Sequence, residues 1–263
     1  MMIPNQTTLP KKPGKIKFFT TLAMLLIIII TSAIITDVDF WQLFMNVGQA
    51  GYILDQMSRP DWSYVSIVLS PLVETIRMAI LGTAFGALLA FPFSLYVARN
   101  MDSNKAISSV LRFLMNIIRT IPELLLAAVF VAVFGIGPFA GIIALAIFSF
   151  GMVSKLFFES IETIDEGPIE ALKSSGANRL EIMRYGVIPQ VISYYWNYVL
   201  FAFEINIRAS AVLGYIGAGG IGIFLQRALS QVRYDRVAVI ILIIFVVVLA
   251  IDYVSNKVRE KLL

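Results

Sequence analysis

Residues 165–189 read D-E-G-P-I-E-A-L-K-S-S-G-A-N-R-L-E-I-M-R-Y-G-V-I-P, a densely punctuated polar stretch in an otherwise apolar chain. Pro168 suits a first helical position, where its missing N–H has no helical partner to lose. Asp165 and Glu166 complement the positive end of that helix, and Gly176 suits the left-handed residue that stops it. A second short helix starts at Asn178, with Glu181 three residues on as capping-box partner. Two short helices joined by a glycine elbow form either a docking knob or a solvated connection, and helix chemistry alone leaves both open.

The segments on either side decide the setting. Of 263 residues, 59% are hydrophobic and 14% are charged, against roughly 25% charged in soluble domains. Disorder requires the opposite balance. The chain has no Cys and no His, which excludes thiolate and imidazole metal sites, thiol nucleophiles and a Ser-His triad. A formal charge of +4 is too small to imply nucleic acid.

A membrane helix needs about 20 mostly apolar residues, and six stretches qualify: 18–35, 72–98, 113–133, 139–155, 190–213 and 237–254. The first is uncharged and follows Lys11, Lys12, Lys15 and Lys17. Thr36-Asp-Val-Asp39 is a poor cleavage site, so a retained anchor is expected over a removed signal. The segment Gly135-Ile-Gly-Pro138 separates the third and fourth spans. Fourteen of the 21 basic residues fall on the side that holds both termini and the 156–189 segment, and four fall on the other. The inside excess of Lys and Arg predicts cytoplasmic termini in a multi-pass plasma or inner membrane protein. The expected organisation is a basic tail (1–17), a first transmembrane helix (18–36), an extracytoplasmic loop (37–71), an all-α core (72–255) and a cytoplasmic tail (256–263). The outer loop holds an amphipathic stretch near 40–54.

Glu170-Ala171-Leu172, then Gly176, then Ile188-Pro189 resembles the cytoplasmic loop of permease subunits of binding-protein-dependent ABC importers. That pattern is E-A-A, a glycine six residues after the Glu, nine residues, then I-x-L-P. Leu172, Gly186 and Ile188 depart from the general pattern and fit the phosphonate/phosphite branch. Arg119-Thr-Ile-Pro-Glu123 and the stretch from Trp196 through Glu204-Ile-Asn-Ile-Arg208 to Gly222 are similar to that branch as well, and the resemblance spans about residues 70–255. It implies a type I importer permease fold and a homodimer working with two ATPase subunits and an extracytoplasmic binding protein. It also implies a coupling helix at Glu170, Ala171, Leu172, Gly176 and Pro189 seated on the ATPase. No G-x-x-x-x-G-K-[ST] phosphate loop is present, so ATP and Mg belong to that partner and this chain is expected to be no enzyme and to bind no cofactor or metal. Its only other surroundings are the lipid bilayer.

Gly217-Ala-Gly219-Gly220-Ile-Gly222 matches the dinucleotide fingerprint G-x-G-x-x-G. That site needs a preceding strand and an acidic residue about 20 positions on, and neither is present. The glycines instead suit close packing, or a gate or hinge near the outer mouth of the path that the resemblance implies. Gly82 and Gly86 suit ordinary helix packing. Three spans carry Glu and Arg one turn apart: Glu74/Arg77, Arg119/Glu123 and Glu204/Arg208. Such spacing puts each pair on one helix face, and a mid-bilayer charge costs roughly 2.5–3.5 kcal/mol. Each pair either neutralises itself or offers an anion a loosely binding path, with Arg208 and Glu204 foremost and Pro122 breaking the helix beside Arg119. Arg227, Arg233 and Arg236 form either a solvated face or a receptor contact. The expected function is import of phosphonate- or phosphite-type anions. The alternatives are an importer for another solute (an amino acid, phosphate or a metal complex), an ion-coupled carrier and a membrane enzyme.

Overall fold

The computed structural model describes residues 15–37, 40–101 and 104–262, and every regular element among them is helical. Most of the expected basic tail, residues 1–14, lies outside the described residues. The chain divides into two compact units, Met1–Leu54 and Asp55–Leu263. In the first, helix α1 (Lys15–Ile35) is about 31 Å long at 1.5 Å per residue, enough to cross hydrocarbon. Thr20 and Thr21 return their hydroxyl hydrogens to carbonyls one turn back, so they present no free donor to lipid. Helix α2 (Phe40–Met45) follows, and α3 (Val47–Met57) begins in this unit, where an amphipathic stretch was expected.

The second unit is the helical core. A 3-10 turn at Trp62–Tyr64 leads into α4 (Val65–Val97), then α5 (Lys105–Thr120), α6 (Glu123–Phe134) and α7 (Pro138–Ile161). The short α8 (Gly167–Ser174) and three-residue α9 (Arg179–Glu181) precede α10 (Ile188–Leu213), α11 (Ile221–Ser230) and α12 (Tyr234–Leu262). Helix α4 starts a turn or two before the expected Leu72. Its first turns continue through Pro71 because Val68 and Leu72 are buried with Ile221, Val237 and Ile240. Helix α12 likewise runs on through 256–262, the stretch expected as a tail.

Helices α4 and α7 form the central pair and run in the same direction. A Cβ on Gly82 would meet Leu145 Cβ at 2.5 Å, and one on Gly86 would meet Ser149 Cβ and the Ala146 carbonyl at 2.5 Å each. The Gly82/Gly86 pair therefore brings two backbones together, as expected for small-residue packing. Helix α10 runs the opposite way against them. Tyr195 donates its hydroxyl hydrogen to the Ala87 carbonyl at 2.9 Å, and Asn206 donates to Thr83 and Ser149 at 2.7 and 2.6 Å. At the α8 end, Phe157, Phe158, Ile161, Val97, Ile169, Val187 and Val191 form one buried cluster. Phe91 stacks on Phe157 and meets Tyr195 edge-on. Met78, Ala144, Leu145, Ala209 and Leu213 fill a second cluster between α4, α7 and α10.

The third expected span carries the break expected at Pro122. Residues 113–133 are not one straight crossing, because α5 and α6 meet at 89° across Ile121-Pro122. Pro122 cannot donate an N–H, and it pushes Ile121 into an extended conformation (φ −80°, ψ 120°). Among the described residues, five helical segments are long and apolar enough to cross a bilayer, and the bent pair makes up to a sixth.

Candidate functional site

The polar stretch folds as its punctuation predicts at its first half. Pro168 lies in the first turn of α8, Glu170 follows in the same turn, and Gly176 holds φ +79° just past the C-terminus. The Asn178 side chain accepts from the Glu181 N–H at 3.0 Å, and the Glu181 carboxylate accepts from the Asn178 N–H at 2.7 Å. The second helix, however, does not stop before the membrane. It passes through a π-helical turn (Ile182–Val187) into α10, so that Arg179–Ile216 is one helical segment of 38 residues. Pro189 therefore sits in the first turn of α10 without interrupting the run.

Burial sorts the residues of the elbow. Ile169 is buried and Leu172 is half-buried against Gly186. A Cβ on Gly186 would stand 3.1 Å from Leu172 Cδ1, so this glycine is what admits α8. Glu170, Ala171, Lys173 and Ser174 are exposed, and so are Leu180 (77%) and Tyr185 (62%). The elbow thus shows a mixed face of carboxylates, cations and two large apolar side chains, held from below by a packed underside.

At the other end of the core, the glycine run closes a loop between α10 and α11. Gly217 accepts from the Gly137 N–H at 3.0 Å, joining the run to the turn that precedes α7. Gly220 takes φ +73°, ψ −164°, a conformation essentially reserved for glycine. Its N–H donates to Glu74 Oε1 at 3.1 Å, and the next N–H, of Ile221, donates to Thr75 Oγ1 at 2.8 Å. Two side chains of α4 therefore satisfy the first free donors of α11, whose positive end suits the Glu74 carboxylate. An apolar helix precedes the run and no strand is present among the described residues, so the G-x-G-x-x-G match builds no dinucleotide site.

None of the three Glu/Arg pairs is an ion pair among the described residues. Glu74 caps α11, while Arg77 is exposed on α4. Arg119 and Glu123 lie on α5 and α6, on either side of the 89° bend, so they share no helix face. The Arg119 stem lies over Gly151 of α7, where it lines a 120 Å³ cavity with Ile118, Leu126, Phe148 and Met152. Glu204 is 8% exposed and pairs with Arg259 of α12. Arg208 is exposed on α10, and its Nε donates to the Glu204 carbonyl oxygen at 3.2 Å rather than to the carboxylate. The carboxylate expected to moderate Arg208 is thus neutralised from another helix.

Arg259 was placed in the tail by the sequence and carried no expected role. Asn206, which bridges Thr83 and Ser149 inside the bundle, was equally unmarked, although a polar residue within an apolar run is a signal in itself. Arg112 and Glu162 are a further pair not foreseen, binding α5 to the C-terminus of α7. Burial alone would raise the Glu162 carboxyl. Hydrogen bonds from Arg112 and the Arg99 N–H, with the two guanidinium charges, leave it below its ordinary value. At the glycine-loop end, Arg233 grips Asp235 through two bonds of 3.1 and 2.8 Å, and Arg236 meets Asp61 at 3.5 Å. Arg227 lies over Phe224. No cluster of three metal-ligating side chains is found among the described residues.

A multi-helix bundle with charges inside it, a helical elbow displayed at one end and a pinned glycine loop at the other defines a membrane transport subunit. The sequence matches the family described as "Binding-protein-dependent transport system inner membrane component" over residues 90–261, and the chain belongs to it. The chain is 37% identical over 201 residues to the phosphite transport system permease protein PtxC of Stutzerimonas stutzeri, covering 76% of this chain and 73% of that protein. It is 35% identical over 224 residues to the phosphate-import permease protein PhnE of Mycolicibacterium smegmatis, covering 85% of this chain and 41% of that one. Among solved structures, an inward-facing MetNI methionine ABC transporter superposes with a TM-score of 0.68 at 21% identity, covering 77% of this chain and 99% of that one. The fold is that of the type I ABC importer permeases.

Proposed function

We propose that this chain forms the path by which a phosphonate- or phosphite-type anion enters the cell, driven by an ATPase bound to its 165–189 elbow. One observation carries the reading. Arg208 is a guanidinium on a bilayer-crossing helix, exposed at the surface of the core, with the neighbouring carboxylate already spent on Arg259. A cation so placed must face water or protein, and an anionic cargo is what it would attract. The names of the similar permeases, which concern phosphite and phosphate, support the same cargo class. Arg119 and Arg77 extend the path, with Glu123 beside the break in the helix and Glu74 holding the gate loop.

The elbow is oriented to the cytoplasm, as are both termini, and the glycine loop faces outward, where Gly217, Gly219, Gly220 and Gly222 form the gate under a solute-binding protein. Glu170, Ala171 and the exposed Leu180 and Tyr185 meet the ATPase; Leu172 and Gly176 set the angle of the elbow, and Pro189 starts the helix that receives the push. ATP and Mg bind that partner. A second permease chain completes the path, and that chain is a second copy of this one.

The test is uptake of radiolabelled phosphite or methylphosphonate into proteoliposomes holding permease, ATPase and binding protein. Arg208→Ala abolishes uptake while the ATPase still co-purifies. Unchanged uptake in that variant removes Arg208 from the path. A different permease chain in the purified complex replaces the homodimer and nothing else.

A further inference from the structure

The charges at the α8 end of the core include a group that neither the elbow nor the anion path uses. Arg99, Lys105, Ser108, Ser109 and Arg112 line a cavity of about 430 Å³ between the end of α4 and the start of α5. That volume lies within the range of small-molecule sites, roughly 300–1,000 Å³. Arg112 is a fixed post. Its Nε and Nη2 donate to the Val97 carbonyl at 3.1 and 2.7 Å, Nη2 also meets Glu162, and its plane lies 4.5 Å over the Phe158 ring. Ser108 is buried and donates to the same carbonyl at 2.7 Å, closing the floor.

Arg99 and Lys105 differ from Arg112. Both are exposed at the rim, and neither side chain forms an ion pair among the described residues. The one described carboxylate that interacts with the group is Glu162, which accepts from the Arg99 N–H at 2.8 Å and from Arg112. Among the described residues, three cations around one cavity are opposed by one carboxylate. Guanidinium and ammonium groups flanking an exposed hydroxyl, here Ser109, match a phosphate group in charge and donor geometry. Basic pockets between transmembrane helices near a membrane surface are the usual seat of anionic lipid headgroups.

We infer that this cavity is a binding site for a phosphate-bearing anion, held by Arg99 and Lys105 against the fixed Arg112. Two sources supply that chemistry, a lipid headgroup and free phosphate, and the experiment separates them. The purified chain is reconstituted in nanodiscs of phosphatidylcholine, with or without phosphatidylglycerol. Lipid retained on release is counted by native mass spectrometry, and inorganic phosphate is titrated into the neutral discs and followed by phosphorus NMR line width.

Wild type retains phosphatidylglycerol selectively if the ligand is a headgroup, and broadens the phosphate line if it is the free ion. In either arm Arg99→Gln/Lys105→Gln weakens binding about 30-fold, which is about 2 kcal/mol at 1.4 kcal/mol per tenfold and about 1 kcal/mol per basic residue. Neither side chain forms a hydrogen bond or ion pair among the described residues, and Arg112 and the Arg99 N–H still hold Glu162 in the double variant, so it keeps its fold, which a thermal melt checks. Equal behaviour of wild type and Arg99→Gln/Lys105→Gln with both probes overturns the assignment.

Discussion

The Glu204–Arg259 pair offers the sharpest quantitative test of how the core tolerates charge. Glu204 is 8% exposed, and the Arg259 side chain is 22% exposed, so both are largely withdrawn from solvent. Removing one member of a buried pair strands the other, at a cost of 3–5 kcal/mol in soluble proteins. In a bilayer the unfolded helices also find partners, which lowers such terms. Arg259→Gln should therefore destabilise the core by about 3 kcal/mol. Glu204→Gln should cost only about 1 kcal/mol, because a long Arg near a helix end can lead its charge to the interface. The double variant strands no charge and should lie within about 1 kcal/mol of wild type, well above Arg259→Gln alone. Unfolding in mixed detergent micelles, followed by helical circular dichroism, gives all four corners of the cycle. If the double variant loses as much as the two single variants combined, the two side chains are not coupled and the neutralisation of Glu204 from α12 is wrong.

Gly86→Leu should drive α4 away from α7, since even a Cβ there meets the Ala146 carbonyl and Ser149 Cβ at 2.5 Å; a loss of about 3 kcal/mol or failure to fold is expected in a thermal melt. Gly176→Val acts differently, because nothing lies within 4 Å of a Cβ at this position and the penalty is left-handed strain of about 1–2 kcal/mol. Coupling of ATP hydrolysis to uptake should fall in that variant while stability falls by no more than that strain, and normal coupling would detach the elbow from the ATPase. Glu162 has a folded pKa below its ordinary value of 4.5. Its contribution is therefore complete above the unfolded pKa and is lost as pH falls through the folded one. Glu162→Gln should flatten the acid limb of a stability-versus-pH curve below about pH 4.5 and lower the plateau above it. Glu74→Ala should leave the Gly220 N–H without its acceptor and loosen the glycine loop, read as faster hydrogen exchange at residues 217–222.

The apolar runs and their punctuation revealed much of this architecture, because hydropathy and helix caps are local signals. Gly176, Asn178 and Glu181 behaved as their residue types require. Pro122 announced its bend, but its 89° angle depends on packing against α7, which no local pattern encodes. The charges were legible as residues and illegible as pairs. Spacing of three and four suggested partners within one helix, whereas Glu204 found Arg259 on a helix 55 residues away in sequence and Glu74 found a backbone N–H in another loop. Tertiary geometry chose those partners, and a polar residue under such demand takes the nearest donor in space. The elbow's second helix was read as short and separate from the span that begins at 190. Pro189 falls directly after the π-helical turn, where the hydrogen-bond ladder shifts register and tolerates its missing N–H, so the chain ran on.

That continuity has a consequence of its own. Arg179–Ile216 is a single rod of 38 residues, about 57 Å long, with the elbow at its foot and the glycine loop at its head. A stiff strut has no preferred direction of transmission. Whatever free energy a protein bound at the foot spends in shifting the head is returned, in equal amount, when something grips the head first. A receptor settling on the loop would thereby alter how tightly the motor below is held, and news of arriving cargo could cross the bilayer before any cargo does.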